Sequence, residues 1–233
     1  MNKICVILAR EGSKGIIKKN ISNLSNKPLI SYTIEAAIKS QMFDKVVVST
    51  DSLEIAEISR KYGAETPFIR SENLSSDNIL SKDALRDAVL RSEKAYGVQF
   101  DIVAELPCTS PLRNATHVQE AMQIMNRNYG QCDSVISLRS INHIHPLKIK
   151  KVIKNRIHDI CDHFSEDQIG RRQEASSFFV RNGAIFIMTR DCIVEKGDRV
   201  GKVSIPYIMD EKSSINIDSR FDMMVAETVL RDL

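Results

Sequence analysis

The sequence has no pair of cysteines at the CxxC spacing, and its five cysteines are odd in number and far apart. Neither a zinc ribbon nor a disulfide framework is therefore indicated, and buried free thiols in a reducing compartment fit the pattern better. Long apolar runs are also missing, because the run that begins the chain stops at Arg10. That length is too short for a signal peptide or a membrane span. We therefore expect a cytoplasmic protein without a membrane partner.

A charge excess of one sign is absent as well. The chain has 33 Lys and Arg against 30 Asp and Glu, which gives a net charge of +3. That balance argues against a nucleic-acid partner, so a local basic cluster has to be judged by its position. Repeats, low-complexity tracts and linkers rich in proline or glycine do not divide the chain. Residues 1–233 are predicted to form a single domain.

What the sequence does have is an alternation of strands and helices over residues 1–140. Near-continuous apolar runs predict buried strands at 3–8, 45–50 and 101–106, and shorter strands at 66–69 and 134–138. Helical periodicity is found at 28–40, 51–64, 79–97 and 115–128, with Asp51 and Gly97 as an N-cap and a C-terminal stop. This alternation is typical of a three-layer, Rossmann-like α/β fold with a mostly parallel, doubly wound sheet. Its ligands are expected at the carboxyl ends of the strands.

The second part of the chain is less regular. Residues 139–181 carry many charges and no clear helical period, so we interpret them as an arm inserted into the sheet domain. Strand character returns at 183–188 and 202–208, and a helix is predicted over 219–233.

A basic loop, ILAREGSKGIIKKN, follows the first strand. Gly12 and Gly15 allow backbone amides to approach an anion closely. Positive charge comes from Arg10, Lys14, Lys18 and Lys19. The spacing matches neither GxGxxG nor GxxxxGK[ST], so neither common nucleotide fingerprint is met. A solvated basic loop has the same composition, and the loop alone does not decide between the two.

Three further motifs are candidates for chemistry: PCTSPLR at 107–113, RRQ with RNGAIF at 171–173 and 181–186, and INIDSRFD at 215–222. Arg113 can bind a phosphate or a carboxylate with two hydrogen bonds, or it can form a surface ion pair beside a rigid turn. Asn182 and Gly183 can also form only a turn. Asp218 can hold magnesium, or Asp218 or Ser219 can cap the final helix.

In this order and at these intervals, the four motifs resemble those of the CMP-sialic acid synthetase family and its relatives for legionaminic and pseudaminic acid. The resemblance extends from Ile4 to the final helix. It implies an enzyme that joins CTP to a 2-keto-3-deoxy sugar acid and releases pyrophosphate with Mg²⁺ as cofactor. The alternatives are a Kdo-type cytidylyltransferase, a nucleotide-binding homologue that has lost catalysis, and a nucleotidyltransferase that uses UTP or GTP.

The same resemblance implies roles for individual residues. Nucleotide contacts are implied for Arg10, Ser13, Lys14, Lys19, Asn20, Arg70, Ser81 and Thr109. Sugar contacts are implied for Ser110, Arg113, Arg172, Gln173 and Asn182. Asp218 and Asn216 are the expected metal ligands, while Arg10, Lys19 and Asp218 are the expected catalytic residues. The arm is expected to form a homodimer, with His143 and His145 as structural or interface residues.

Several positions depart from the family pattern. Asn216 replaces an expected aspartate, and a neutral oxygen binds a hard cation less strongly than a carboxylate does. Pro107 and Cys108 replace the usual Gln-Pro, which argues against assuming the commonest sialic acid as substrate. Ile17 and Phe186 replace a usual proline and a usual tyrosine. Lys18 is a variable position in the motif and is expected to face water.

Overall fold

The structure is a computed structural model that describes residues 1–12, 15–76, 79–141, 148–160 and 178–232. The strands in these ranges are β1 (Lys3–Leu8), β2 (Asn23–Leu24), β3 (Lys27–Pro28), β4 (Lys45–Ser49), β5 (Ile102–Glu105), β6 (Ser134–Ser140), β7 (Lys150–Ile153), β8 (Arg156–Asp159), β9 (Phe179–Thr189) and β10 (Ser204–Met209). The α-helices are α1 (Leu29–Ser40), α2 (Leu53–Lys61), α3 (Ser81–Tyr96), α4 (Ala115–Arg127) and α5 (Arg220–Arg231). A short π-helix covers Asp191–Glu195.

The central sheet has the strand order β10-β6-β9-β5-β1-β4 in the described part of the chain. β1 pairs in parallel with β4 and β5, and β10 pairs in parallel with β6. β9 runs antiparallel between β5 and β6. The predicted α/β class with a mostly parallel sheet is therefore confirmed. Since β1 and β5 are parallel neighbours, their carboxyl ends open at the same edge, where Val6 pairs with Glu105.

The sheet is covered on both faces, which gives the three layers that the alternation predicted. Successive side chains of a strand point to opposite faces. Cys5 and Ile7 of β1 pack in the cluster that includes residues of α1, α2 and α4. Ile4 and Val6 pack in the cluster that includes residues of α3 and the π-helix. Because β1 is buried on both faces, it reads as a continuous apolar run.

A third, smaller core joins the two ends of the chain. Leu24 and Leu29 are fully buried against Ile217 and Ala226 of the C-terminal segment, and Ile16 of the basic loop packs on the same cluster. The loop after β1 and the segment before α5 are thus held against each other by apolar contacts.

Two local predictions are wrong. Ser52, not Asp51, is the N-cap of α2, because the Asp51 carboxylate instead accepts a hydrogen bond from the Glu11 backbone N–H at 2.9 Å. Residues 66–69 do not form a strand; the chain makes only an isolated bridge between Val47 and Glu65 before Pro67, which has no N–H to offer a ladder.

Other local predictions are confirmed. Gly97 ends α3 at φ +67°, and of the two candidate caps, Asp218 and Ser219, it is Ser219 that caps α5, in a reciprocal box with Asp222. Within the described ranges the cysteines are free and buried, as their spacing indicated. None of the helices described has the length and apolar character needed to cross a membrane.

The stretch interpreted as an arm is described only in part. Beyond the sheet, β6 and β9 continue to pair at Ser140 and Phe179, after a register shift between Ile136 and Leu138. β7 and β8 form a separate antiparallel hairpin with exposed valine and isoleucine side chains.

Candidate active site

Two adjoining clefts open at the carboxyl ends of β1 and β5. The first, the basic cleft, has a volume of about 530 Å³, and its polar lining comprises Arg10, Lys19, Asn20, Arg70, Ser75, Ser76, Ser81 and Asp218. The second, the mixed cleft, has a volume of about 280 Å³, and its polar lining comprises Asn20, Ser81, Glu105, Thr109, Arg199 and Asn216. Leu8, Asn20 and Ser81 line both clefts, so the two form one continuous site.

A cleft of about 590 Å³ lies at the opposite edge of the sheet, around Asp133 and Arg190. Its charged groups are already paired: Lys196 bonds to Asp133 at 3.0 Å, and Arg190 bonds to Glu93 at 2.8 Å. It lies at the amino ends of β5 and β6, away from the predicted motifs. The candidate site is therefore assigned to the two clefts at the carboxyl ends.

The basic cleft concentrates positive charge. Arg70 is only 4% exposed, and its Nε–H donates to Ser75 Oγ at 3.0 Å. Burial lowers the pKa of the Arg70 guanidinium; Asp51 opposes this effect and the neighbouring Arg10 adds to it. Like charges held close together repel, and a bound polyanion removes that repulsion. The cleft is therefore suited to an anion with several charges.

The four sequence motifs meet around Ile217, directly before α5. Lys19 Nζ donates to the Ile217 carbonyl oxygen at 3.1 Å, and the Ile217 backbone N–H donates to the Thr109 carbonyl oxygen at 2.7 Å. Ser110 Oγ donates to the Gly183 carbonyl oxygen at 3.4 Å. Segments that are far apart in the chain are thus joined into one site by hydrogen bonds to backbone carbonyl oxygens.

Two adjacent lysines of the basic loop have different environments. Lys19 Nζ also bonds to Asp218 Oδ1 at 3.1 Å, and its side chain is only 17% exposed at the floor of the basic cleft. Lys18 lies outside both clefts, half exposed, and pairs with Glu54 of α2 at 2.5 Å. The expectation that Lys18 faces solvent is correct for its exposure, but an ion pair holds it at the surface.

Close packing explains one glycine of the loop. A Cβ atom built on Gly15 would lie 2.6 Å from the Asp218 carbonyl oxygen, whereas one on Gly12 would meet nothing within 4 Å. Asn20 is buried and donates from Nδ2 to the Arg10 carbonyl oxygen at 2.9 Å. Gly15 and Asn20 therefore fix the loop against Asp218 and beside Arg10.

The mixed cleft contains an ion pair that the sequence motifs did not include. Glu105 ends β5 and is 4% exposed, and Arg199 Nη1 donates to Glu105 Oε2 at 2.7 Å. The Arg199 guanidinium also lies over the Phe186 ring, 4.7 Å from its centroid. Burial raises the pKa of the Glu105 carboxyl, and Arg199 opposes this rise. A carboxylate inside the apolar run that follows Asp101 was the available signal for Glu105, while nothing in the sequence marked Arg199.

Three residues with implied sugar contacts lie beneath the clefts and line neither of them. Ser110 is fully buried, and Asn182 bonds to Ser214 Oγ at 2.8 Å and to Ser137 Oγ at 2.6 Å.

Arg113 is 1% exposed, and its guanidinium nitrogens have no hydrogen-bond partner among the described residues. Burial lowers the pKa of Arg113 to about 10, with Cys5 and Cys108 opposing. The alternative of a surface ion pair for Arg113 is wrong, and direct sugar contacts by these three residues stay predictions.

The expected metal ligands are adjacent. Asn216 Nδ2 donates to Asp218 Oδ2 at 2.6 Å, and the Asp218 side chain is 72% exposed. In the described ranges no group of three or more His, Cys, Asp or Glu side chains could hold a metal ion. Mg²⁺ commonly binds one or two carboxylates together with phosphate oxygens and water. Asp218 therefore fits a magnesium ion that takes its remaining ligands from a bound triphosphate.

Several predicted residues lie outside the described part of the chain. They are Ser13, Lys14, His143, His145, Arg172 and Gln173.

Solved structures share the fold. A CMP:2-keto-3-deoxy-manno-octonic acid synthetase in complex with CTP superposes with a TM-score of 0.73 at 16% identity. The superposition covers 100% of this chain and 99% of the synthetase chain. A 4-diphosphocytidyl-2C-methyl-D-erythritol synthase from Anaerococcus prevotii superposes with a TM-score of 0.62 at 12% identity, and covers 99% and 98%. At these identities the likeness shows a common fold.

Sequence relatives are closer. The chain is 32% identical to a post-translational flagellin modification protein B of Campylobacter coli, over 98% of this chain and 95% of that protein. It is 32% identical to a CMP-N,N'-diacetyllegionaminic acid synthase of Campylobacter jejuni, over 97% and 94%. It is 34% identical to an N-acylneuraminate cytidylyltransferase of Escherichia coli, over 97% of this chain and 51% of that protein, so it spans about half of that relative. The sequence profile of the cytidylyltransferases matches residues 4–192, and this chain belongs to that family.

Proposed function

We propose that this protein joins CTP to a nonulosonic acid, a 2-keto-3-deoxy sugar acid, and releases pyrophosphate. The observation that carries the proposal is the pair of adjoining clefts that share Leu8, Asn20 and Ser81. A transfer between two substrates requires two binding sites whose contents meet at one point. The basic cleft suits a triphosphate, and the mixed cleft suits a smaller polar acceptor.

The nucleotide half of the site works mainly through charge and position. Arg10, Lys19 and Arg70 line the basic cleft, and Ser81 is the first residue of α3. Guanidinium, ammonium and the N-terminus of a helix all stabilise phosphate oxygens. Since charge accumulates on these oxygens as the nucleophile attacks, preorganised cations lower the barrier.

The proposed reaction is a substitution at the α-phosphorus of CTP. The anomeric hydroxyl oxygen of the sugar acid forms a bond to that phosphorus, and the bond to the oxygen that bridges the α- and β-phosphates breaks. Pyrophosphate leaves with the electron pair, and the hydroxyl proton passes to solvent. Magnesium bound at Asp218 would supply neutralising charge for the triphosphate. Lys19 orients Asp218 through their 3.1 Å contact.

The choice of acceptor follows from the relatives. Those at 32–34% identity over nearly the whole chain include enzymes named for legionaminic and N-acylneuraminic acids. A further relative, 42% identical over 55% of this chain, is a pseudaminic acid cytidylyltransferase of Campylobacter jejuni. The octulosonate enzyme at 16% identity supports only the fold, so Kdo is the alternative acceptor.

Pyrophosphate release tests this function. The purified protein with CTP and Mg²⁺ is offered sialic, legionaminic and pseudaminic acids and Kdo, with UTP and GTP as alternative nucleotides. We expect release with CTP and at least one nonulosonic acid. Release with Kdo alone, or with none of the acids, would overturn the proposal.

Asn216 provides a prediction about the metal. We expect Asn216→Asp to lower the Mg²⁺ concentration for half-maximal activity by about three- to tenfold, because a second carboxylate joins Asp218. Asp218→Asn is the opposite control and should raise that concentration. A Mg²⁺ requirement that does not change in either variant would contradict the metal assignment. CTP binding without turnover that Asn216→Asp converts to turnover would identify a catalytically weakened homologue.

A homodimer through the arm is a further part of the proposal. The exposed apolar side chains of the β7–β8 region are Ile149, Val152, Ile153, Ile157 and Ile160, and Val152 pairs directly with Ile157. Contiguous exposed apolar surface favours association.

A cytoplasmic location likewise stays a proposal, supported by the free cysteines.

We expect the double substitution Val152→Asp and Ile157→Asp to shift the protein from dimer to monomer at micromolar concentration, because two charges would be buried at the contact. Light scattering after size exclusion measures the mass. Val98→Asp, at a 42% exposed position in a loop outside the arm, is the control and should stay dimeric. A wild-type monomer, or a variant that remains dimeric, would contradict this surface.

A further inference from the structure

We infer that Arg199 binds the carboxylate of the sugar acid, and that Glu105 and Phe186 hold its guanidinium in place. The inference rests on the proposed function, because it assigns a specificity-determining residue to the acceptor half of that site. Arg199 lies in the loop between the π-helix and β10, 94 residues from Glu105 in the sequence.

The position of Arg199 is the first argument. Arg199 is the one cationic residue among the described residues that line the mixed cleft. Thr109 and Asn216 supply neutral polar groups there, and Glu105 supplies a negative charge. Among the described residues, an acidic acceptor in this cleft therefore meets a single guanidinium. Without a cation, desolvating its carboxylate would be unfavourable.

The remaining hydrogen-bonding capacity of Arg199 is the second argument. The side chain of Arg199 is 26% exposed, whereas that of Glu105 is 5% exposed. Within the described ranges, this guanidinium donates one hydrogen bond, from Nη1 to Glu105 Oε2. A guanidinium has five N–H donors in a planar fork and can bind carboxylates along more than one edge. One edge is therefore anchored to the protein, and another is left for a carboxylate in the cleft.

The rigidity of the arrangement is the third argument. The Phe186 ring lies 4.7 Å from the guanidinium carbon of Arg199 and restricts the plane of the group. Glu105 is fixed at the end of β5, where it pairs with Val6 and Phe186 in the sheet. A side chain held on two sides loses little further freedom when a ligand binds. Such a group is suited to orienting an acceptor as well as attracting it.

A purely structural role is the competing explanation. In that case the Glu105–Arg199 pair only ties the loop before β10 to the sheet. The two explanations differ in one measurable property, the preference of the enzyme for the sugar acid over its neutral C1 amide.

The experiment measures KM for the acid and for the amide at saturating CTP, in the wild type and in Arg199→Ala. We expect Arg199→Ala to raise KM for the acid by about 10- to 100-fold, as for the loss of charge-assisted hydrogen bonds. The preference for acid over amide should fall by a similar factor, while KM for CTP stays within about twofold, because the basic cleft is lined by other residues.

Further variants separate binding from folding. Arg199→Lys keeps a charge beside Glu105 but loses the planar fork of the guanidinium. It should raise KM for the acid above the wild-type value, though less than Arg199→Ala does, and it provides the test if Arg199→Ala fails to fold. Glu105→Gln removes the anchoring charge and should raise KM for the acid less than Arg199→Ala does. Arg60→Ala changes an exposed arginine of α2 that contacts Thr66, and should leave both KM values unchanged.

An unchanged KM and an unchanged acid preference in Arg199→Ala, or in Arg199→Lys where Arg199→Ala does not fold, would overturn the inference. A wild-type enzyme that uses none of the acids would overturn the proposed function and this inference with it. The two failures are distinguishable, because in the first the wild type is active and in the second it is not.

Discussion

Lys19→Ala should lower kcat/KM for CTP by about 10²- to 10³-fold, the size of effect found when a preorganised charge-stabilising group is removed from an active site. The substitution removes a cation from the floor of the basic cleft. It also frees Asp218 and the Ile217 carbonyl oxygen, both of which Lys19 Nζ contacts at 3.1 Å. Charge stabilisation and the position of the expected metal ligand are therefore lost together.

The neighbouring residue is the matched control. Lys18→Ala removes the same side chain one position earlier, where it pairs with Glu54 at the surface. Lys18 lines neither cleft and an exposed ion pair adds little stability, so Lys18→Ala should keep kcat/KM within about twofold of wild type. Steady-state pyrophosphate release at varied CTP measures both variants. Equal effects of the two substitutions would show that total loop charge, rather than the contacts of Lys19, is what matters.

Gly15→Ala should lower kcat/KM for CTP by about 10²-fold, the cost that a misplacement of about 1 Å can have in a catalytic arrangement. A new Cβ would lie 2.6 Å from the Asp218 carbonyl oxygen, which is a backbone atom. Neither side can yield by rotating a side chain, so the basic loop and Asp218 have to separate. The distance from Lys19 to Asp218 changes with that movement.

Gly12→Ala is the control for this substitution, because a Cβ there meets nothing within 4 Å. We expect it to retain activity close to wild type under the same assay. Thermal unfolding of both variants distinguishes a local displacement from a general loss of stability. Wild-type activity in Gly15→Ala would mean that the loop and the Asp218 segment do not need their close contact for catalysis.

Much of the sheet domain was predictable, because strands that are buried on both faces need apolar side chains and therefore appear in the sequence as apolar runs. The central apolar residues of β1 and β4 are buried, and glycine suits position 97 at the end of α3 because the backbone there has φ +67°. The strand predicted at 66–69 failed for a related reason. Its residues suit a strand, but Pro67 cannot donate to a ladder, and the pairing ends with Glu65.

The site was harder to predict, since its contacts join distant segments. The sequence motifs identified Lys19 and Asp218, but not that they touch. For Arg113 the sequence left a phosphate or carboxylate contact and a surface ion pair open, and only the structure shows its burial beside Cys5 and Cys108. The pair of Glu105 and Arg199 had no local signature, because its partners are 94 residues apart.

The small core shared by the basic loop and α5 has a consequence for local unfolding. Ala226 is the buried residue of α5, so this helix is attached to the sheet domain by a limited apolar contact. Elements of that kind can open without global unfolding, and a ligand that binds only the closed form suppresses the opening by mass action. A nucleotide held between the loop and Asp218 should therefore slow amide hydrogen exchange along α5. The last helix of the chain would then report whether the site is occupied.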